Sequence, residues 1–381
     1  MSKKLLYFSA WDFEDGPSTG ITKKIRAQIK ALRGFGYDVD ITHIAGKRCV
    51  IEKETGVVEI GAVGRLRKLT AFREIYFYLK KAIYQGDLSY KYVYSRYQLC
   101  DFFYLKNLKL LKKNGAKIIV EIPTYPYDEE QPAGILWWGL YAMDKFFRKS
   151  VHKFADKILT YSDEDVIFEV PTIKTSNGVD MDSIAMRKPI NHPTNEINVI
   201  AVAGLAKWHG YDRFLRGMGE YYKTNPNPDT KVHFHIAGDG PVRPEYEAIV
   251  KEYELSNYVT FYGMLYGEKL DELYDMCSIG IENLGFHRCG VDHVSTIKSK
   301  EYAAKGLPFI TSCDVDLFKG EDFVLSIPAG EDPVDIDEVI DFANRVYAGT
   351  TEEEKAKSIR DIASKRASVN VTLKPVNDYF G

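Results

Sequence analysis

The chain has few cysteines and no long hydrophobic run. Its five cysteines among 381 residues are scattered, and no two of them have the C-x-x-C spacing of a metal or redox site. This pattern is typical of reduced thiols in a cytosol rather than of a disulfide framework. No segment reaches the ~20 apolar residues that a membrane-spanning helix needs. The N-terminal apolar run is too short for a signal peptide, so we expect a cytoplasmic protein.

An excess of charge of one sign is also missing. The sequence has 51 Lys and Arg against 54 Asp and Glu, for a net charge of −3. Proteins that bind nucleic acid through their overall charge usually have a strong basic excess. We therefore expect no nucleic-acid partner.

What the chain does have is a repeated alternation of short β-branched or aromatic runs with stretches of helical period. A helix is predicted at residues 21–34. Strands are predicted at residues 4–9, 37–43, 91–95, 117–122, 157–160, 197–203, 231–237, 258–262, 278–282 and 308–311. This alternation predicts an α/β fold with doubly wound parallel sheets.

The alternation restarts after the polar, proline-containing segment 187–196. We therefore predict two Rossmann-like domains, at residues 1–180 and 181–365. Parallel sheets bind ligands at the carboxyl ends of their strands, so two such sheets predict a cleft between the domains.

The segment 295–308, STIKSKEYAAKGLP, predicts a helix that ends at Gly306 and leads into a buried strand. The start of this helix follows a loop and offers backbone N–H groups to an anion, so His293, Ser295 and Thr296 are candidate donor-binding residues. The final proline of the segment reinforces the helix stop.

Glu301 falls near the face of this helix that is expected to pack inward. A carboxylate there needs partners, and ribose hydroxyls would serve. The alternative is an exposed ion pair between Lys298 and Glu301.

The segment 203–213, AGLAKWHGYDR, places three cationic side chains just beyond a predicted strand end. Lys207, His209 and Arg213 could form a diphosphate clamp, since cations donate charge-assisted hydrogen bonds. The alternative is a solvated loop with Trp208 packed in the core.

Two glycine-containing turns follow predicted strands. HIAGDGP contains Gly238 and Gly240, which let the backbone approach a ligand, although a plain strand-to-helix turn explains them as well. The segment GPSTG, residues 16–20, leads into the first predicted helix. Its residues Gly16, Ser18, Thr19 and Gly20 are candidate donor-binding residues, because a helix start favours an anion. It matches neither the dinucleotide-binding pattern nor a P-loop, which disfavours a nicotinamide enzyme or an NTPase.

Metal-binding patterns are weak. The D-x-D motif occurs at residues 38–40, 180–182 and 314–316, but this motif is common by chance. His233 and His235 alternate along a predicted strand and are interpreted as structural. We expect no metal and no cofactor.

The sequence allows two interpretations of residues 65–84, one of which involves contact with a membrane. Residues 65–84 contain a basic helical pattern with an apolar stripe formed by Leu69, Phe72, Tyr76, Leu79 and Ile83. Such a helix can lie on an anionic membrane. The protein would then be a peripheral protein at the inner face of the membrane. The alternative is an ordinary helix packed on its sheet.

These stretches, in this order, resemble the retaining GT-B-fold glycosyltransferases of glycosyltransferase family four. The resemblance runs through most of the chain and includes GPSTG, NGVD at 177–180, AGLAKWHGYDR, HIAGDGP, VTFYG at 259–263 and EYAAKGLP. It implies an acceptor-side first domain, a nucleotide-sugar-binding second domain, and a C-terminal helix, 366–381, that packs back on the first.

The family carries Glu-x7-Glu at this last helix. Its second glutamate matches Glu301 and implies a contact with the donor ribose, whereas the first falls at His293. The family's diphosphate-binding arginine and lysine fall near Leu205 and His209, so Lys207, Arg213 and Lys298 are the available cations and the candidate catalytic residues. The acceptor loop is expected at EIPTYPYDEE, 121–130, for which a rigid connector is the alternative.

The implied activity is transfer of a hexose, with retained configuration, from a UDP- or GDP-sugar to a glycan or lipid-linked acceptor in cell-surface polysaccharide synthesis. Two alternatives stay open. One is a sugar-nucleotide epimerase of the same fold, and the other is an inactive nucleotide-sugar-binding partner of a transferase.

Overall fold

The computed structural model describes residues 3–14, 20–127, 135–190, 195–290 and 293–381. The chain divides into two compact units. Unit 1 comprises Met1–Ser176 and Thr372–Gly381, and unit 2 comprises Asn177–Val371. The first division falls a few residues before the predicted boundary, and the returning C-terminal segment begins later than residue 366.

The strands of unit 1 are short and mostly buried. They are β1 (Lys3–Asp12), β2 (Tyr37–Ala45), β3 (Arg48–Lys53), β4 (Gly56–Ala62), β5 (Tyr92–Arg96), β6 (Lys117–Ile122), β7 (Lys157–Thr160), β8 (Val166–Ile167) and β9 (Val170–Lys174). They form one sheet in the order β4-β3-β2-β1-β5-β6-β7-β9-β8. Its central pairs are parallel, and antiparallel strands complete both edges.

The strands of unit 2 are β10 (Glu196–Val202), β11 (Lys231–Ala237), β12 (Val259–Gly263), β13 (Ile279–Asn283), β14 (His293–Val294), β15 (Phe309–Thr311), β16 (Asp314–Val315) and β17 (Val324–Ser326). Six of them form a wholly parallel sheet in the order β12-β11-β10-β13-β15-β17, and β14 pairs with β16. The order reverses at β10, which is where such sheets bind ligands.

Helices cover the faces of both sheets. Unit 1 contains α1 (Gly20–Gly34), α2 (Arg67–Tyr84), α3 (Phe102–Lys113), α4 (Ile135–Phe147) and the C-terminal α12 (Lys374–Phe380). Unit 2 contains α5 (Tyr211–Thr224), α6 (Arg243–Glu252), α7 (Glu268–Met276), α8 (Ile297–Lys305), α9 (Ile336–Val346), α10 (Glu352–Arg366) and α11 (Val369–Thr372) with its last residue assigned to unit 1.

The predicted strands and the predicted first helix are all present, and the α/β fold with two doubly wound sheets is confirmed. The hairpin of β3 and β4 and the short strands at the other edge were not predicted from the sequence. These edge strands lie outside the β-α-β alternation on which the prediction relied.

The last segment of the chain returns to the first sheet. The hydroxyl of Tyr37 donates to Asn377 at 3.1 Å, and the Lys117 ammonium donates to the carbonyl of Phe380 at 3.2 Å. The ring of Phe380 also packs against Tyr92, with 4.9 Å between centroids. Residues 366–371, by contrast, belong to unit 2.

The apolar stripe of α2 points into unit 1. Phe72 and Leu79 are completely buried, and Asn107 on α3 donates to the carbonyl of Phe72 at 2.9 Å. The stripe therefore packs inside unit 1, as expected for the alternative of an ordinary helix packed on its sheet. Within the described ranges, no helix has the length and hydrophobicity needed to cross a bilayer.

Candidate functional site

Two loops at the carboxyl edge of the unit 2 sheet are joined by backbone hydrogen bonds. The amide of Leu205 donates to the carbonyl of Asp239 at 2.9 Å, and that of Ala203 donates to Ala237 at 3.1 Å. A Cβ on Gly240 would lie 2.1 Å from the carbonyl oxygen of Leu205, and one on Gly238 would lie 1.8 Å from that of Ala203. The close approach of these loops thus explains why both positions are glycine. Donor binding by Gly238 and Gly240 stays a prediction.

Lys298 lies at the carboxyl edge of the unit 2 sheet and contacts the start of α5. Its ammonium donates to the hydroxyl of Tyr211 at 3.1 Å and to the backbone carbonyl of Glu282 at the end of β13. The ring of His209 stacks on Tyr211, with 5.4 Å between centroids. Burial lowers the pKa of Lys298, and the nearby carboxylates of Glu282 and Glu301 partly offset this effect. The structure thus brings together two motifs that are far apart in the sequence.

His209 is not one of the cations. Burial, together with the charge of Lys298, lowers its pKa to about 2, so the ring is neutral at physiological pH. Nδ1 accepts a hydrogen bond from the amide of Ala206 at 3.1 Å, which places the proton of the neutral ring on Nε2. The prediction of His209 as a positively charged member of the diphosphate clamp is wrong, because an imidazole this deeply buried loses its proton.

Glu282 was not singled out in the sequence analysis. It is completely buried at the end of the central strand β13, next to Lys298, and its Oε1 has no hydrogen-bond partner in the described part of the chain. Its other oxygen has a long contact of 3.5 Å with the hydroxyl of Thr311. A buried carboxylate oxygen needs a donor, so Glu282 is a candidate ligand-binding residue. Its position at a strand end next to Asn283 was the available sequence signal.

The start of α8 is held by local hydrogen bonds. Thr296 is its N-cap, with a side chain that accepts from the amide of Ser299. The hydroxyl of Ser295 accepts from the amide of Asn177 at 2.8 Å, which joins the predicted NGVD motif to the helix. His293 lies in β14, paired with Asp314, and its side chain is outside the described part of the structure. Donor binding by these residues stays a prediction.

Glu301 lies on α8 one turn after Lys298 and is half-buried. The exposed ion pair considered as an alternative is not what the structure shows, because the Lys298 ammonium bonds to Tyr211 and Glu282 instead. The helix ends as predicted, with Gly306 in the left-handed conformation at φ 76°. Glu301 is therefore placed on the same helix edge as the buried ammonium, and its contact with a ribose stays a prediction.

Arg213 supports the framework of unit 2. Its guanidinium donates to the backbone carbonyls of Leu284, Asp332 and Pro328 at 2.7, 2.8 and 3.0 Å. These bonds connect α5 to two loops, and they leave little of the donor capacity of Arg213 for a diphosphate. A catalytic role for Arg213 stays a prediction that its contacts do not favour.

Lys207 is exposed and lines a pocket of about 250 Å³ with Asp212, Glu245, Tyr246 and Arg288. Arg288 is already paired with Asp212 at 2.8 Å. Two carboxylates and two cations line this pocket, so its charge does not favour a diphosphate, and a catalytic role for Lys207 stays a prediction. The neighbouring Trp208 is 45% exposed, so the suggestion that it packs in the core is wrong.

In unit 1, a buried ionic cluster lies at the carboxyl ends of the central strands. Oε1 of Glu121, at the end of β6, accepts from Lys24 at 2.8 Å, Arg96 at 3.1 Å and Tyr161 at 2.5 Å. Gln28 donates to the same oxygen at 3.3 Å. Of the candidate residues in GPSTG, Gly20 is the first residue of α1, and Gly16, Ser18 and Thr19 lie outside the described residues.

The other oxygen of Glu121, Oε2, is buried and has no partner among the described residues. Burial works to raise the pKa of Glu121, but Lys24 and Arg96 outweigh it and hold that pKa well below its ordinary value. Burial also lowers the pKa of Lys24 to about 8. The cluster therefore presents an ionised carboxylate oxygen that can accept a hydrogen bond from a hydroxyl group.

The D-x-D motifs are partly explained by ion pairs. Lys4 pairs with Asp38 at 3.0 Å and with Asp40 at 3.1 Å, while Asp316 pairs with Lys300. Among the residues that the structure describes, no group of three or more His, Cys, Asp or Glu side chains could hold a metal ion. The expectation that no metal is needed stays a prediction.

Residues 182–283 match the family described as Glycosyl transferases group 1. A comparison with curated protein sequences gives no significant match. Solved structures, by contrast, resemble the whole chain. The sucrose-phosphate synthase of Thermosynechococcus elongatus has a TM-score of 0.65 at 16% identity and covers 99% of this chain and 98% of its own.

Two further structures have the same extent of similarity. A glycosyltransferase from Rickettsia africae has a TM-score of 0.66 at 12% identity, over 100% of this chain and 98% of its own. HepE of Anabaena, solved with UDP and glucose, has a TM-score of 0.59 at 13% identity, over 99% of both chains. At these identities the likeness establishes the GT-B fold. Residues 182–283, which lie in unit 2, resemble the group 1 glycosyltransferases, and with this match the prediction that the protein is a glycosyltransferase is confirmed.

Proposed function

We propose that the protein transfers a hexose, with retained configuration, from a UDP- or GDP-sugar to a glycan or lipid-linked acceptor. The observation that carries this proposal is the placement of Lys298 and Glu301 one turn apart on α8, at the carboxyl edge of the parallel sheet. One offers a cation for a diphosphate and the other a carboxylate for a ribose diol. HepE was solved with UDP and glucose, and starch synthase IV of Arabidopsis thaliana with ADP and acarbose, which supports a nucleotide-sugar donor.

Departure of the nucleoside diphosphate builds negative charge, and a fixed cation in a site that excludes water stabilises that charge strongly. Lys298 is held in place before any ligand arrives, because its ammonium is bonded to Tyr211 and to the end of β13. The neutral His209 next to it contributes an Nε2–H donor rather than a second positive charge. No step of this mechanism calls for a metal ion.

Retention is proposed to follow a front-face displacement, in which the leaving phosphate helps to deprotonate the acceptor hydroxyl. The C1–O bond to the diphosphate breaks, the acceptor oxygen bonds to C1 on the same face, and the hydroxyl proton passes to the leaving phosphate. In unit 1, we propose that Oε2 of Glu121, which has no partner among the described residues, accepts a hydrogen bond from an acceptor hydroxyl.

The first experiment is a thermal-shift screen of the whole chain with UDP-, GDP- and ADP-glucose. A ligand that binds the folded state raises the melting temperature, by an amount equivalent to about 2.7 kcal/mol at one hundred times its Kd. If no nucleotide or nucleotide sugar shifts the melting temperature, the proposal is contradicted. Binding without turnover on any glycan or lipid-linked acceptor would indicate the inactive binding partner instead.

The role of Glu301 is tested by titration calorimetry with the nucleotide sugar that gives the largest shift. Losing a hydrogen bond to a charged group costs about 1.5–3 kcal/mol, so Glu301→Ala is expected to weaken donor binding roughly 10- to 100-fold. Glu272→Ala is the matched control, since Glu272 is an exposed glutamate on α7 of the same unit. An unchanged donor affinity in the Glu301→Ala variant would remove Glu301 from the site.

A further inference from the structure

Three helices of unit 1 expose large aromatic side chains on the faces that point away from its core. Trp138 and Phe146 on α4 are each 71% exposed, Phe77 on α2 is 55% exposed and Phe102 on α3 is 50% exposed. A single exposed aromatic residue is common on a soluble protein, but a connected group of them marks an interaction surface.

The exposed rings are connected from helix to helix. Phe77 on α2 contacts Phe103 on α3 with 6.1 Å between centroids, and Phe103 contacts Phe102 at 5.4 Å. Phe102 contacts Phe147 on α4 at 6.4 Å, and Phe147 contacts Phe146 at 5.1 Å. These rings therefore form one continuous apolar patch across α2, α3 and α4.

The same helices are strongly basic, although the whole chain has a net charge of −3. α3 contains Lys106, Lys109, Lys112 and Lys113 and no acidic residue. Lys106 lies over the ring of Phe102, at 5.0 Å from its centroid. Cations are thus mixed with the aromatic patch itself.

The basic excess continues on the two neighbouring helices. On α2, Arg73, Lys80 and Lys81 are exposed, and its one acidic residue, Glu74, is bonded to Arg73 at 2.8 Å. On α4 and the turn after it, Lys145 and Lys149 are exposed.

The acidic residue of α4 does not offset this charge at the surface. Asp144 is buried, where it accepts hydrogen bonds from Tyr97 and Tyr127. The described outer faces of α2, α3 and α4 therefore combine aromatic and basic side chains with few exposed acids. We call this surface the aromatic–basic face. It is formed by the partly exposed Lys106 and by the exposed side chains of Arg73, Phe77, Lys80, Lys81, Phe102, Lys109, Lys113, Trp138, Lys145, Phe146 and Lys149.

We propose that the aromatic–basic face binds the surface of an anionic lipid bilayer. The rings would enter the boundary between headgroups and acyl chains, and the long lysine side chains would reach the lipid phosphates. The charge of the face complements such a surface, where each Lys or Arg contributes about 1 kcal/mol. Phe72 and Leu79 of the apolar stripe of α2 take no part, because they are buried in unit 1.

The geometry favours a bilayer over nucleic acid. Single-stranded nucleic acid binds aromatic rings by stacking its bases flat on them. Here Phe102 meets Phe103 at an interplanar angle of 81° and Phe147 at 63°, while Phe146 meets Phe147 at 88°. Such edge-to-face packing forms a compact apolar cluster and does not arrange the ring faces in a row on which successive bases could stack. The inference is independent of the proposed transferase chemistry, since it concerns residues outside both candidate sites.

The test is co-sedimentation of the whole chain with vesicles of phosphatidylcholine alone and of phosphatidylcholine with 30% phosphatidylglycerol, a composition chosen as roughly that of an anionic bilayer surface. The wild-type chain is expected to bind the anionic vesicles and to lose binding at high salt. Each ring would bury apolar area in the bilayer, so Phe102→Ser with Phe146→Ser is expected to weaken binding about tenfold or more. Lys109→Glu with Lys113→Glu is expected to do the same.

Matched controls lie in unit 2. Tyr266→Ser replaces an equally exposed aromatic residue, and Lys223→Glu with Lys251→Glu reverses two exposed charges. These variants are expected to bind vesicles like the wild type, and circular dichroism melts check that all variants fold.

Four results would overturn the proposal: no binding of the wild type to anionic vesicles, equal binding to neutral vesicles, equal losses in the unit 2 controls, or tight binding to single-stranded nucleic acid in place of vesicles.

Discussion

The ammonium of Lys298 on α8 lies 3.1 Å from the hydroxyl of Tyr211, the first residue of α5. These residues belong to the separate motifs STIKSKEY and AGLAKWHGYDR, and the hydrogen bond joins them at the end of β13. Tyr211 is completely buried, so the ammonium is held by a side chain that cannot move away. The pre-organised cation of the candidate donor site is therefore Lys298, although the sequence placed Lys207, His209 and Arg213 next to one another.

Replacing Lys298 by methionine removes the cation and keeps a side chain of similar length. Loss of one preorganised group that stabilises the leaving diphosphate is expected to lower kcat about 10²- to 10³-fold. Tyr211→Phe keeps the ammonium and removes only its hydroxyl partner, so its effect on kcat is expected to be much smaller. Steady-state kinetics with a nucleotide sugar measures both, and a Lys298→Met variant with wild-type kcat would exclude Lys298 from the chemistry.

Gly240 is expected to be required by packing. A Cβ there would lie 2.1 Å from the carbonyl oxygen of Leu205, so Gly240→Ala is expected to lower the free energy of unfolding by about 2–3 kcal/mol. Gly204→Ala, in the adjacent loop, adds a Cβ with no atom within 4 Å and is the control. Denaturant unfolding measures both. Equal stability of the two variants would show that the loops separate more easily than the close contact implies.

Arg213→Met is expected to affect stability more than donor binding. Three backbone carbonyls lose their donor, of which the one of Leu284 is buried, and at up to about 1 kcal/mol each this predicts a loss of roughly 2–3 kcal/mol in the free energy of unfolding. The matched control is Arg216→Met, because Arg216 is exposed on the same helix. A stable Arg213→Met variant with greatly weakened donor binding would instead support the original assignment of Arg213 to the diphosphate.

The neutral His209 makes stability depend on pH. Its folded-state pKa of about 2 lies below the ordinary value of 6.5, so the unfolded chain takes up a proton as the pH falls below 6.5 while the folded chain does not. The stability that the neutral His209 contributes is therefore fully present above pH 6.5 and is lost as the pH falls. The free energy of unfolding is expected to decrease by about 1 kcal/mol between pH 6 and pH 5. Denaturant unfolding at both pH values measures this loss.

The His209→Asn variant has no titrating group at this position, and it is expected to lose about 1 kcal/mol less than the wild type over the same interval. His233→Asn is the comparison, because burial lowers the pKa of His233 as well but this residue on β11 is only partly buried, so a smaller change in the pH dependence is expected. An unchanged pH dependence in the His209→Asn variant would show that His209 is protonated in the folded state.

The framework of the two sheets could be predicted from the amino-acid sequence alone. Runs such as 197–203 and 231–237 are apolar because both faces of a parallel strand are covered by helices, and this pattern needs no knowledge of distant contacts. The end of α8 was equally predictable, since Gly306 adopts a left-handed conformation that other residues rarely take. Edge strands such as β3 and β4 were missed, because they are connected by short turns without an intervening helix.

Which charged groups act together became clear from the folded structure and not from the sequence. His209 lies in a cationic segment of the sequence, yet burial next to Lys298 removes its charge. Glu282 carried no motif signal, and Glu121 was predicted only as the first residue of the segment EIPTYPYDEE. Each has a buried oxygen without a partner in the described residues because its strand ends inside a folded unit. Helical period made α2 amphipathic, but it did not show that the aromatic rings of α2, α3 and α4 would meet on the outside. Local patterns set the backbone, whereas charge and exposure depend on neighbours that only folding brings together.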